Sequence, residues 1–190
     1  MSNSRYLIIY GTKEGQTAKI AEKIGEIIRQ KGYNADVYDA RKAPQNLSIE
    51  PYIGVIVGSS IHYLRWSRAA AHFVIGQQPP IKTAQSAFFS VSMMASAPDD
   101  PKVAEELKKV SKKFFDETNW HPTTVEHFAG GLAWSKYGLF TRYLMKGISY
   151  AQHKRVDTSK DEEFTNWDQV TKFAENFVER TQSEAAKSLG

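Results

Sequence analysis

Apolar runs and stretches of helical periodicity alternate along this chain. The first run, Tyr6-Leu7-Ile8-Ile9-Tyr10, shows no polar alternation, which is the pattern of a strand covered on both faces. After a short loop, Ile20, Ile24, Ile27 and Ile28 recur at helical spacing, and Gly32 behind Lys31 predicts a C-terminal cap. A second strand is expected over Ala35–Asp39. A third, central strand is expected over Tyr52–Gly58, with Ala70, Phe73 and Val74 marking the helix behind it. Ser86–Met94 reads as a fourth strand. Pro98-Asp99-Asp100-Pro101 then opens a helix with Val103, Leu107, Val110 and Phe114 on one face, and Thr123–Gly130 reads as a fifth strand. Thr165-Asn166-Trp167-Asp168 has capping-box spacing with Asp in place of Glu or Gln. It predicts a last helix with Trp167, Val170, Ala174, Phe177 and Val178 facing the core. The polar stretch 182–190 is expected to fray as a flexible tail.

Strands alternating with helices predict an α/β fold, a doubly wound three-layer sandwich around a five-stranded parallel sheet. Right-handed crossovers leave few strand orders, and 2-1-3-4-5 is the expected one. The whole chain, 1–190, reads as a single domain. One segment exceeds the minimal plan: Gly131 to Phe164 separates the fifth strand from the last helix, where about 2–6 residues suffice. An insertion of that size is expected to carry function.

Composition narrows the chemistry. The 190 residues are 41% hydrophobic and 24% charged, with no cysteine, which is globular composition and excludes disulfides, thiol catalysis and iron–sulfur clusters. The first strand is too short for the apolar core of a signal peptide, and no run of 18 uncharged apolar residues occurs, so an intracellular chain without a membrane span is expected. The net charge of +4 and sequence pI near 9.1 favour anionic partners.

Gly11-Thr12-Lys13-Glu14-Gly15-Gln16-Thr17 lies between the first strand and its helix, where an α/β sheet presents backbone N–H groups and a helix dipole to an anion. The Gly-Lys-Ser/Thr ending of a Walker loop is missing, and Gly11 and Gly15 do not fit G-x-G-x-x-G. Two readings remain for this hydroxyl-rich bend. It is either a cradle for a phosphate monoester or a plain turn with Thr17 as N-cap.

The bend resembles the phosphate loop of the flavodoxin superfamily, with Glu14 where a hydroxyl residue is common. The resemblance implies FMN as cofactor, its phosphate held by Thr12, Gly15, Gln16 and Thr17, with Lys13 and Glu14 completing the loop. A carboxylate repels a phosphate, so Glu14 is expected to point outward or to offer only its N–H. The resemblance also sets the flavin ring between the loops after the third and fourth strands, which supply Ser59, Ser60, Ile61, His62 and Tyr63, and Ser92, Met93, Met94 and Ala95.

Val57-Gly58-Ser59-Ser60-Ile61-His62-Tyr63 is similar to the G-[AS]-S-I-[RH]-Y loop of the quinone-dependent protoporphyrinogen IX dehydrogenases of that superfamily. Ser86-Ala87-Phe88-Phe89-Ser90-Val91, Asn119-Trp120-His121-Pro122, Ala129-Gly130-Gly131-Leu132 and Phe164-Thr165-Asn166-Trp167-Asp168-Gln169-Val170 also match its segments, in order. This likeness implies an FMN-dependent enzyme that oxidises protoporphyrinogen IX and reduces a membrane quinone in haem biosynthesis. It implies a cytoplasmic location, at the cytoplasmic face of the inner membrane where peripheral. Association with an anionic membrane and homo-oligomerisation are both open. No nucleic-acid motif and no metal site are expected, and no side chain is assigned as a catalytic base.

Within the insertion, helical placement puts Phe140, Tyr143, Leu144, Ile148 and Ala151 on one face, with Arg142, Lys146, Ser149 and His153 opposite. That face either packs on the sheet or meets an anionic membrane or an apolar anionic ligand. Trp66, Arg142 and Lys146 are the candidate substrate contacts. His62 is the histidine placed beside the flavin, in a proton-shuttling or a structural role. The rival readings are a flavodoxin-like electron carrier or general quinone reductase, and a basic binding module.

Overall fold

The structure, a computed structural model, describes residues 4–132 and 162–187. The first strand, β1 (Arg5–Gly11), fully buries Tyr6, Leu7, Ile8 and Ile9, because helices cover both faces of the sheet. Helix α1 (Gln16–Gln30) buries Ile20, Ile24, Ile27 and Ile28, each worth roughly 1.5–3 kcal/mol of transfer free energy. Strands β2 (Asn34–Asp39) and β3 (Gly54–His62) follow. A two-residue strand, β4 (Arg65–Trp66), folds back antiparallel on the end of β3. Helices α2 (Arg68–Gly76) and α3 (Pro80–Thr83) lead to β5 (Ser86–Ser92) and a 3₁₀ turn at Met94–Ser96. Helix α4 (Pro101–Thr118), strand β6 (Thr124–Ala129), strands β7 (Gly131–Leu132) and β8 (Glu162–Glu163), and helix α5 (Trp167–Lys187) complete the described chain.

The parallel strands run β2-β1-β3-β5-β6, which is the expected order 2-1-3-4-5 counted over the five main strands. Successive residues of each strand feed opposite layers. Tyr6, Ile8, Ile56 and Phe89 pack with Ile20, Ile24, Val170 and Phe177 from α1 and α5. Leu7, Ile9, Val55, Val57 and Phe88 pack with Val74 of α2, Phe114 of α4 and the fully buried Trp120.

The structure corrects several boundaries. Strand β3 continues beyond Gly58 to His62, while β5 stops at Ser92. Thr165 does not cap α5. Asn166 Oδ1 accepts from the Gln169 N–H at 3.1 Å, and the Thr165 hydroxyl donates instead to the Ala129 carbonyl at 2.7 Å. Helix α5 reaches Lys187, and Gln182 Nε2 donates to the Tyr6 hydroxyl at 3.0 Å.

The β7–β8 pair closes the base of the inserted segment. Lys19 of α1 pairs with Glu163 at 3.0 Å, and Trp167 Nε1 donates to the same carboxylate at 2.8 Å. Burial works to raise the Glu163 carboxyl, but bonds from Lys19, Gln16 and Trp167 hold it below the usual range. The amphipathic reading of 140–153 lies outside the described residues.

Candidate functional site

Loops at the carboxyl ends of β1, β3, β5 and β6 converge on a cavity of about 560 Å³. A parallel α/β sheet binds ligands at this edge, where the strand order reverses. Its lower wall is the bend after β1. Gly15 has φ 107°, a backbone region that favours glycine, and its N–H donates to Thr12 Oγ1 at 3.0 Å. That bond curls the loop so that Thr12, Lys13, Glu14, Gln16 and Thr17 line the cavity. Gly15 itself is the N-cap of α1 rather than a lining residue. Among the described residues no side chain caps this helix start. Thr17 is therefore not the N-cap, and the first N–H groups of α1 have no side-chain cap.

The second wall is the β3–β4 hairpin. Ser60, Ile61, His62 and Tyr63 line the cavity, and Leu64 joins them. Ser59 does not. It is fully buried, and its hydroxyl accepts from the Ser67 N–H at 2.9 Å, which fixes the chain's return from the hairpin. Gly11 permits this packing, since a Cβ there would lie 2.1 Å from Ser67 Oγ. The hairpin tip is the two-residue turn Tyr63-Leu64, both with positive φ (49° and 58°) and both exposed.

The third wall is Val91, Ser92, Met93 and Met94, with Gly130 and Gly131 at its margin. Ala95 faces away, packed with Ile61, Leu107 and Val110. Trp66 also lies off the cavity, because its ring packs edge-on against Phe114 at 5.7 Å under the Lys113 ammonium. Arg142 and Lys146 lie outside the described residues.

Glu14 departs from expectation. Its carboxylate lines the cavity with 18% of its side chain exposed, and Oε1 lies 3.7 Å from His62 Nδ1. Burial holds the His62 imidazole below its ordinary value, Glu14 opposes that shift and Lys13 adds to it.

His127 is occupied elsewhere, with Nδ1 2.7 Å from Ser90 Oγ, and His121 lies against Phe115. Among the described residues no three His, Cys, Asp or Glu side chains gather as metal ligands.

The lining residues missed from the sequence are Leu64, Val91, Gly130 and Gly131. Signals existed for all four: Leu64 stands in the loop already singled out, and Val91 and Gly130-Gly131 in two of the matching segments.

An α/β sandwich of this strand order, with a cavity at the carboxyl edge of its sheet, is a doubly wound fold of the ligand-binding kind, and the comparisons place it further. Residues 7–159 match the Flavodoxin domain, and the chain belongs to the flavodoxin family. It is 29% identical over 181 residues to the protoporphyrinogen IX dehydrogenase [quinone] of Escherichia coli K12, covering 95% of this chain and 98% of that one. The protein of the same name from Leishmania major is 29% identical over 173 residues, covering 90% of this chain and 74% of that one. Among solved structures, an archaeal flavodoxin superposes with TM-score 0.53 at 14% identity, over 94% of this chain and 99% of that one. Flavodoxin 2 from Bacillus cereus gives 0.51 at 15% identity, over 93% and 99%. These two likenesses show the shared fold.

Proposed function

We propose that this chain is an FMN-dependent oxidoreductase that oxidises protoporphyrinogen IX to protoporphyrin IX with a membrane quinone as electron acceptor. The observation that carries the cofactor reading is the uncapped start of α1 opening, with the Thr12 and Thr17 side chains, onto a cavity of about 560 Å³. That volume lies in the range of small-molecule sites. Hydroxyls and helix-start N–H groups suit a phosphate monoester, and Gly15 lets the backbone approach it. The Gln16 side-chain amide is taken by Thr165, so Gln16 offers its backbone N–H. Ser60 to Tyr63 and Ser92 to Met94 flank the ring. FMN supplies reversible two-electron chemistry, while the chain binds, orients and shields it.

The substrate reading is supported by similarity to two relatives of that name along nearly the whole of this chain. The chain acts as one flavodoxin-like unit, and Arg142 and Lys146, which lie outside the described residues, are the proposed partners of the substrate's propionates. Among the described residues no helix is long and apolar enough to cross a membrane. The contact proposed with the quinone pool is peripheral, at the cytoplasmic face.

The test is an assay of FMN-loaded protein with protoporphyrinogen IX and either menaquinone or ubiquinone under anaerobic conditions. Quinone-dependent appearance of protoporphyrin is expected. Flavin reduction by one-electron donors, with no porphyrin formed, would support an electron carrier instead.

A further inference from the structure

Four titratable side chains line the cavity among the described residues: Lys13, Glu14, His62 and Tyr63. Imidazole is the side chain whose ordinary charge change falls between pH 5 and 8, so His62 is the group here suited to exchanging protons near neutrality. Its Nδ1 faces Glu14 Oε1 at 3.7 Å, with 29% and 18% of the two side chains exposed. That separation is an ion-pair contact, longer than a hydrogen bond. With Nδ1 turned to the carboxylate, Nε2 is the nitrogen left to exchange a proton.

The proposed reaction needs such a group. Each two-electron oxidation of a porphyrinogen by a flavin removes two hydrogens. One leaves a C–H bond with its electron pair, as hydride to the flavin. The other leaves as a proton, and its bonding pair enters the new double bond. Reducing a quinone to a quinol reverses the count, adding one hydride equivalent and one proton.

We propose that His62 accepts the proton released by the porphyrinogen and later delivers it to the quinone, and that Glu14 is the positioning residue that holds the imidazole for both steps. This rests on the function proposed above. Charge balance supports it. A proton on His62 forms a neutral pair with Glu14, so the proton enters the cavity without adding an unpaired charge. Nearby cations favour the neutral imidazole over the imidazolium. Lys13 reaches it from the loop after β1, and Arg65 stands opposite it in the β3–β4 register. The β5 side contributes Ser92, Met93 and Met94, which are uncharged. Burial pushes His62 below its ordinary 6.5, so the neutral, proton-accepting form prevails at pH 7.

The experiment compares wild type, His62→Gln and Glu14→Gln, each loaded with FMN and checked by its visible spectrum. Porphyrinogen oxidation is followed from pH 5 to 8, and the His62 ring is titrated by NMR in wild type and Glu14→Gln. Wild type should gain rate as pH rises through the His62 transition. His62→Gln should lose about 100-fold or more, together with that limb. Glu14→Gln should move the limb and the NMR transition to lower pH by the same amount, since the group that favours the imidazolium is gone. An FMN-loaded His62→Gln protein with wild-type rate and pH profile overturns the inference. So does a Glu14→Gln protein in which the kinetic limb stays while the NMR transition moves. A loaded wild type that forms no porphyrin sinks the functional reading itself, a distinct outcome.

Discussion

Gln16 Nε2 donates to Thr165 Oγ1 at 2.8 Å, and Thr165 carries the chain of bonds on to the Ala129 carbonyl at 2.7 Å. Three elements far apart in sequence are joined there: the start of α1, the end of β6 and the approach to α5. The bend after β1 is therefore held by tertiary bonds as well as by its own turn. Thr165→Val keeps the shape and removes the hydroxyl, leaving part-buried polar groups unpaired. It should cost about 1–3 kcal/mol, read as a lower urea midpoint with an unchanged slope, and should weaken FMN binding.

Gly15→Ala tests the bend directly. At φ 107° an alanine stores about 1–3 kcal/mol of backbone strain or forces the loop to open. FMN affinity should fall about tenfold or more, and the melting temperature should drop even without flavin.

The Tyr63-Leu64 turn offers the opposite test. Both residues adopt left-handed conformations that cost roughly 1–2 kcal/mol per residue, yet Tyr63 is 87% and Leu64 51% exposed, so little burial offsets that cost. Strain kept at the rim of a cavity is a signature of function. Leu64→Gly should raise stability by about 1 kcal/mol in urea melts while lowering kcat/KM for the porphyrinogen.

Much of this fold was legible because its signals are local. The four isoleucines of α1 and the unbroken apolar run of β1 fix element type by periodicity, and crossover handedness then leaves few sheet orders. The bend after β1 was legible for the same reason: its hydroxyls and Gly15 are contiguous. What stayed hidden depends on tertiary contacts. Tyr63-Leu64 lacks the Asn-Gly chemistry that announces a two-residue hairpin, so β4 gave no sign of itself. The hydroxyl of Thr165 looked like a cap and is spent on Ala129. Trp66 looked available in its loop, but Phe114 and Lys113 claim its ring from another helix. Ser59 and Ala95 stand beside cavity residues in sequence, yet the alternation of the strand and the tightness of the 3₁₀ turn send them inward.

His127 makes stability depend on pH. Burial holds its imidazole below the ordinary 6.5, with Ser90 Oγ 2.7 Å from Nδ1. Below that value the unfolded chain binds more protons than the folded one, so stability present above pH 6.5 is lost as pH falls through the folded-state transition. His62 contributes in the same direction. Denaturant midpoints should fall between pH 7 and 5, and His127→Gln should flatten that slope in part. An unchanged slope would show that His127 does not titrate with folding.

The central claim is that the bend Thr12–Thr17 grips a monophosphate and thereby seats a flavin in the cavity. Equilibrium titration of the flavin-free protein with FMN and with riboflavin, followed by quenching of flavin fluorescence, tests it most directly. FMN should saturate one site per chain and bind at least about 100-fold more tightly than riboflavin, a gap of roughly 2.8 kcal/mol for the phosphate. Equal affinities for the two flavins, or no quenching by either, would contradict it.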